Sequence, residues 1–350
     1  MEKKITNNER IQYLDIAKGI SLLLVMISHS CGFPFGTGKY FTAFYIQIFF
    51  ILSGLTYKSG KSISENIVKR FKGIIIPYFI YSAVILVIYF VLSNAKSVKE
   101  LIDIVIGVLY SRYCLYPIDY EGENRYFLQI GNSPMWFLTA IFISSCIFYI
   151  AMECIKDRKR HLCICSIVFL ALTMSMDYLP ILLPWSMDTA FFGAFFMLIG
   201  YYCKTVYLKE KSWKVLVSVV AMYLICCYFN TGINLSIRQY GDYGIINVIA
   251  VSIVGMSGSF LCICFSRMID FIPVIRDIFA YIGKNTIMLL ALHVTIFTIF
   301  DGVLARFGIS EDVNGIIYYG IGLIRLSVTV GVCYCISCVK KRWIEKVSMH

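Results

Sequence analysis

An all-α, polytopic membrane bundle of about ten helices is the fold class this chain predicts, and two observations carry it. Hydrophobic residues make up 59% of the 350 and charged residues only 15%, where a soluble domain carries about a quarter charged. Uncharged runs of roughly 17 to 25 residues also recur along the whole chain, separated by short basic breaks. A soluble enzyme is excluded, and the net charge of +11 reflects topology and anionic lipid, not nucleic acid.

Ten runs satisfy the spanning length, near 13–31, 40–57, 74–93, 134–154, 162–178, 188–203, 215–230, 244–266, 285–301 and 315–339. The first is punctured by Asp15, Lys18 and His29, and Lys18 together with the lack of an A-x-A-like site argues against a cleavable signal peptide. The second and third flank a basic break that holds Lys58, Lys61, Lys69, Arg70 and Lys72. Between the third and fourth, Leu101 to Ile118 is apolar but interrupted by Asp103, Arg112 and Pro117. It reads as an interfacial or re-entrant helix. The fourth and fifth flank "KDRKR", and the ninth and tenth enclose His293 and Arg325.

With the N-terminus in the cytoplasm, 24 of the 32 Lys and Arg residues fall on the cytoplasmic side and seven in outer loops, while Arg325 lies within the last span. By the positive-inside rule both termini are cytoplasmic. An odd number of spans would reverse half the loops, so the asymmetry supports ten. The 14 cysteines lie mostly inside spans, as in "CICS" and "CYCISC", where Cys is a small hydrophobe. Their spacing and the lack of a partnering His cluster point away from metal. No repeat or linker divides the chain, so residues 1–350 read as one integral-membrane domain with no appended soluble domain.

Lys18 and His29 are eleven residues apart, which on a helix is three turns plus about 20°, with an axial separation of roughly 16 Å. They share one face. A lysine near a helix end can snorkel and a lone membrane histidine can simply bond a neighbour, but ionisable residues within a span are costly and face the protein interior.

"KGISLLLVMISH" (Lys18 to His29) resembles the basic-x10-His signature of the bacterial acyltransferase family 3, integral-membrane enzymes that O-acylate cell-surface glycans. The resemblance continues through "FFILSG" (Phe49 to Gly54), "KRFKGIIIPY" (Lys69 to Tyr78), "SPMWFLTAIF" (Ser133 to Phe142) and "IGKNTIMLLALH" (Ile282 to His293). Lys18 stands where the family more often has Arg, so a phosphate would meet a point charge instead of a planar fork.

The resemblance implies acyl transfer, typically acetyl from cytoplasmic acetyl-CoA, to a hydroxyl of a cell-surface or lipid-linked glycan, in the bacterial cytoplasmic membrane. His29 would be the base, since imidazole can take a hydroxyl proton near pH 7. Lys18, Arg70 and Lys72 would hold the nucleotide phosphates at the cytoplasmic mouth, with a pantetheine arm spanning the distance to His29. Trp136 suits a sugar ring or an interfacial belt. Asp188 suits an orienting carboxylate, the acceptor, or a helix N-cap. His293 and Arg325 rank next after His29, and Asn285 and Thr286 suit the cap of helix nine. Glu121, Glu123 and Arg125 in the longest outer loop could touch the acceptor. Acyl-CoA, a glycan acceptor and membrane lipid are the expected partners, with self-association left open and no metal cofactor. A glycan or lipid transporter would also need buried charge across ten spans, but the paired Gly/Pro-interrupted halves of such proteins are not found. A structural or sensor protein would leave Lys18 and His29 replaceable.

Overall fold

The computed structural model describes residues 11–42, 44–92, 97–117, 133–155, 159–229, 232, 234–236, 238–239, 245–308 and 315–347. Fourteen α-helices build it: α1 (Gln12–Ser30), α2 (Gln47–Leu55), α3 (Ile63–Arg70), α4 (Ile76–Leu92), α5 (Val98–Tyr110), α6 (Trp136–Ile155), α7 (Lys159–Ser175), α8 (Met187–Tyr202), α9 (Lys204–Lys209), α10 (Trp213–Phe229), α11 (Ile245–Ile269), α12 (Pro273–Lys284), α13 (Thr286–Arg306) and α14 (Ile316–Val347). Among the described residues the only β pairing is an isolated bridge between Asn234 and Gln239. The all-α membrane bundle is therefore what the chain forms.

Among the described residues, seven stretches are long and apolar enough to cross a bilayer: Gln12–Ser30, Ile63–Leu92, Trp136–Ile155, Arg160–Tyr178, Ile246–Ile269, Thr286–Arg306 and Ile316–Trp343. The remaining expected spans hold shorter helices, α8 with 16 residues, α10 with 17 and α2 with nine. At 1.5 Å per residue, α2 rises only about 14 Å, less than half of an apolar core of about 30 Å. Its approach is built of helical turns, in which the Tyr45 N–H donates to Phe41 O and the Ile48 N–H to Phe44 O.

The run from Ile63 to Leu92 contains a π turn at Phe71–Ile75. Pro77 follows two residues after the turn, past Ile76; it has no N–H to donate and its ring crowds the preceding turn, and a wider turn relieves that conflict. The 13-residue α5 is too short to span and starts in a capping box, with the Glu100 N–H donating to Ser97 Oγ and the Ser97 N–H to the Glu100 carboxylate. It stops at Ser111, whose φ of 57° is left-handed. An interfacial or re-entrant helix over Leu101–Ile118 was expected there; the helix starts three residues earlier and ends at Tyr110.

Small residues set the closest helix contacts. A Cβ on Gly19 of α1 would collide with the Phe279 carbonyl of α12, and one on Gly283 of α12 would collide with the Asp15 carbonyl of α1. Backbone thus lies on backbone, the contact that apolar surroundings favour when no bulk intervenes. Lys18 and Lys284, each next to one of these glycines, are carried to the same region. α2 and α8 meet the same way, through Gly54 against Met197 and Gly200 against Ile51. α8 is the central strut, with Ala190, Phe192, Ala194 and Phe196 all fully buried and α2, α6 and α7 packed around it.

Candidate active site

At the Lys18 end of α1 a cavity of about 880 Å³ opens between α1, α2, α3, α6, α12 and the start of α13. Among the described residues six cations line it: Lys18 from α1, Lys58 and Lys61 from the turn after α2, Lys69 and Arg70 from α3, and Lys284 from the end of α12. None of the described residues on its wall is Asp or Glu. Lys18 lies 3.4 Å from Asp15, whose carboxylate is buried one turn earlier on α1. The Arg70 Nε donates to the Tyr149 hydroxyl at 3.0 Å, and Tyr149 stacks at 5.7 Å on Tyr57. Gly73 and Ile74 of the π turn complete that wall.

Of the three residues assigned to phosphate, Lys18 and Arg70 are on the wall and Lys72 is not. Lys72 is exposed. Two positions along a helix are separated by about 200°, so Arg70 facing the cavity turns Lys72 away. Lys58, Lys61, Lys69 and Lys284 were legible only as basic residues. Lys284 sits within the quoted "IGKNTIMLLALH" segment, and only the Gly19–Gly283 contact brings it to Lys18.

Asn285 does occupy the N-cap position of α13, yet its side chain makes no cap bond. Its Nδ2 donates back to Tyr281 O at 2.9 Å, and the Thr286 Oγ1 donates to Gly283 O at 2.7 Å. Both side chains close α12 and both residues line the cavity.

At the other end of α1 the structure brings together two histidines. The rings of His29 and His293, on α1 and α13, lie 5.3 Å apart with a 51° tilt. The His293 Nδ1 is 2.9 Å from Leu290 O and 3.1 Å from Leu289 O. Carbonyl oxygens only accept, so this nitrogen carries the proton and Nε2 is left as the basic one. That Nε2 is buried and has no hydrogen-bond partner among the described residues. Phe297 packs its edge against the ring at 5.6 Å. His29 is open from outside the bundle, whereas His293 is fully buried. His29 is not on the wall of the cation cavity.

Arg325 of α14 reaches this end, where its Nη1 donates to Ser30 O at 2.8 Å and its Nε to Asp301 Oδ1 at 2.6 Å. Trp136 is 8% exposed and packed in the core, against Phe137. A belt tryptophan would show its ring at the surface; this one opens α6 inside the bundle.

Asp188 lies in the first turn of α8, where Ser186 takes the N-cap position, so Asp188 is not the cap. It is fully buried and ion-paired with Arg112 and, at 3.5 Å, with Arg238. The Leu183 and Thr189 N–H groups also donate to its carboxylate. Arg112 donates further to the carbonyls of Leu183 and Ser236, and Arg238 to those of Ile181 and Leu179. One carboxylate therefore staples the segment after α5, the loop before α8 and the segment between α10 and α11. Glu121, Glu123 and Arg125 lie outside the described residues.

A bundle with seven bilayer-length apolar helices among its described residues, and polar chemistry at both ends of its first helix, defines a multi-pass helical membrane protein. The chain belongs to acyltransferase family 3: the profile of that family, described as an acyltransferase domain, matches residues 11–338. Comparison with curated proteins and with solved structures found no match. The family match takes in both ends of α1, the cation cavity and the histidine pair, and makes the protein a membrane acyltransferase.

Proposed function

We propose that the protein transfers an acyl group, acetyl in the simplest case, from acyl-CoA to a hydroxyl of a cell-surface or lipid-linked glycan, at the bacterial cytoplasmic membrane. The observation that carries this reading is the cavity whose described wall residues include six cations and no carboxylate, at the Lys18 end of the helix that presents His29 at its other end. A CoA headgroup bears a diphosphate and a 3′-phosphate, and clustered Lys and Arg around a low-dielectric recess suit such a polyanion. Lys18 and Arg70 keep the donor role that the sequence suggests; Lys58, Lys61, Lys69 and Lys284 join them, and Lys72 is set aside.

The charge asymmetry of the loops supports a cytoplasmic position for this cavity. From there the pantetheine arm would run along α1 for roughly 16 Å toward His29. His29 takes the proton of the acceptor hydroxyl as the oxygen attacks the thioester carbonyl. The tetrahedral intermediate collapses with loss of the CoA thiolate, which takes the proton back from the imidazolium. His293, with its proton fixed on Nδ1, presents a basic Nε2 on the side of the pair away from solvent and supports the charge that His29 acquires. Trp136 and Asp188 are assigned no contact with the acceptor; both are occupied in packing or ion pairing.

Mass spectrometry of surface glycans from cells with and without the protein tests the reading. The expected result is a single acyl increment, 42 Da for acetyl, that depends on the protein and disappears with His29→Ala. Glycans of unchanged mass would contradict it.

A further inference from the structure

The two imidazoles sit on separate helices, and the residue that joins those helices at the histidine end comes from a third. Arg325 of α14 is 7% exposed. Its Nη1 donates to the carbonyl of Ser30, the residue after His29, at 2.8 Å. Its Nε donates to Asp301 Oδ1 at 2.6 Å, and Nη2 lies 2.6 Å from the same oxygen. Asp301 follows His293 by eight residues on α13, about 12 Å of rise. One guanidinium is thus bonded to both histidine-bearing helices.

The end of α1 is shaped to receive it. The last carbonyls of a helix lack partners within it, and here the Cys31 and Gly32 N–H groups both return to Ile27 O. A cation at a helix C-terminus also meets the favourable end of the macrodipole. Ser30 Oγ donates to Gly322 O at 3.2 Å, three residues before Arg325. At Gly322 an added Cβ would stand 2.6 Å from the Cys31 Cβ. α14 therefore closes on α1 through Arg325, Gly322 and the Ser30 hydroxyl, with Asp301 balancing a guanidinium that would be costly in apolar surroundings by itself.

We propose that Arg325 is a positioning residue that holds His29 against His293, acting through the imidazole pair and leaving the donor cavity untouched. The kinetic part of this inference rests on the acyltransferase chemistry assigned to His29; the structural part does not. In purified nanodisc protein, Arg325→Gln should lower kcat by about 10²-fold, the effect of a misplacement of about 1 Å. The KM for acetyl-CoA and the directly measured CoA affinity should stay within about twofold. Arg325→Lys should recover about tenfold of the loss, because an ammonium keeps the charge toward Asp301 but lacks the fork that reaches both partners.

The second readout needs no donor. Carbethoxylation by diethylpyrocarbonate, followed by mass spectrometry, should modify His29 and spare the buried His293 in the unmodified protein, and should modify His293 as well in Arg325→Gln. If Arg325→Gln does not yield folded protein, Arg325→Lys and Asp301→Asn carry both measurements, with smaller shifts in the same direction. His293 protection unchanged in these variants, or turnover lost in step with CoA affinity, would overturn the proposal. Should the unmodified protein transfer no acyl group while His293 still becomes reactive in Arg325→Gln, the clamp stands and the chemistry assigned to His29 falls.

Discussion

His29 and His293 differ in what surrounds them, and the difference sets their separate expectations. His29 is reachable from outside, as a base that meets an acceptor must be, while His293 is sealed and has its tautomer fixed by two carbonyls. His29→Ala should cost about 10² to 10⁴ in kcat, the usual worth of a positioned base, with CoA affinity unchanged. Stopped-flow measurement of CoA release alongside equilibrium CoA binding would show it; a well-folded His29→Ala with full turnover would remove the residue from the mechanism. That Lys18 and His29 lie on one helix, eleven residues apart, was legible because the apolar run of the first span holds them both. Lys72 is off the cavity wall because its nearness to Arg70 in sequence is undone by the helical turn between them. The His29–His293 pairing was not legible as a contact, since nothing local in either span states which helix the other will meet.

At the scale of elements, two glycines decide where the cations converge. Gly283→Ala puts a methyl group into the Asp15 carbonyl. Backbone cannot yield as a flexible side chain can, so α12 must withdraw from α1. Overpacking of this kind costs typically about 1–3 kcal/mol, and a lower thermal midpoint in detergent together with weaker CoA binding is expected, because Lys284 moves with its helix. An unchanged midpoint would mean that the two helices are not in backbone contact. The Arg112–Asp188–Arg238 staple makes a sharper case. Asp188→Asn leaves two buried guanidinium groups without their carboxylate, and breaking a buried pair typically costs about 3–5 kcal/mol. Loss of folded protein or a large drop in melting temperature is expected, and full stability would contradict the pairing. Asp188 was legible as an unusual residue at the start of a span, but its partners lie 76 and 50 positions away in sequence. Arg112 read only as an interruption of an interfacial or re-entrant segment for the same reason.

For the whole molecule, helix content and the approximate span positions were legible from apolar run length, because a bilayer imposes that length directly. The shortness of α2 and the π turn before Pro77 were not, since both depend on local backbone adjustment within an apolar run. The orientation is a prediction from charge: with the 24 basic residues on the cytoplasmic side, the segments 58–73 and 156–161 should be cytoplasmic and 119–133 external. Cysteine accessibility mapping in a Cys-depleted background checks this; labelling from outside at position 159 would reverse it. The central claim, that the cation cavity holds the donor while His29 performs the transfer, is tested most directly by CoA titration and single-turnover acyl transfer on the same nanodisc preparations. Lys18→Gln and Lys284→Gln should each weaken CoA binding by about tenfold, equivalent to about 1.4 kcal/mol, and His29→Ala should bind CoA normally while transferring about 10²- to 10⁴-fold more slowly. Lysine variants that bind CoA as tightly as the unmodified protein, or a His29→Ala that transfers at full rate, would contradict it.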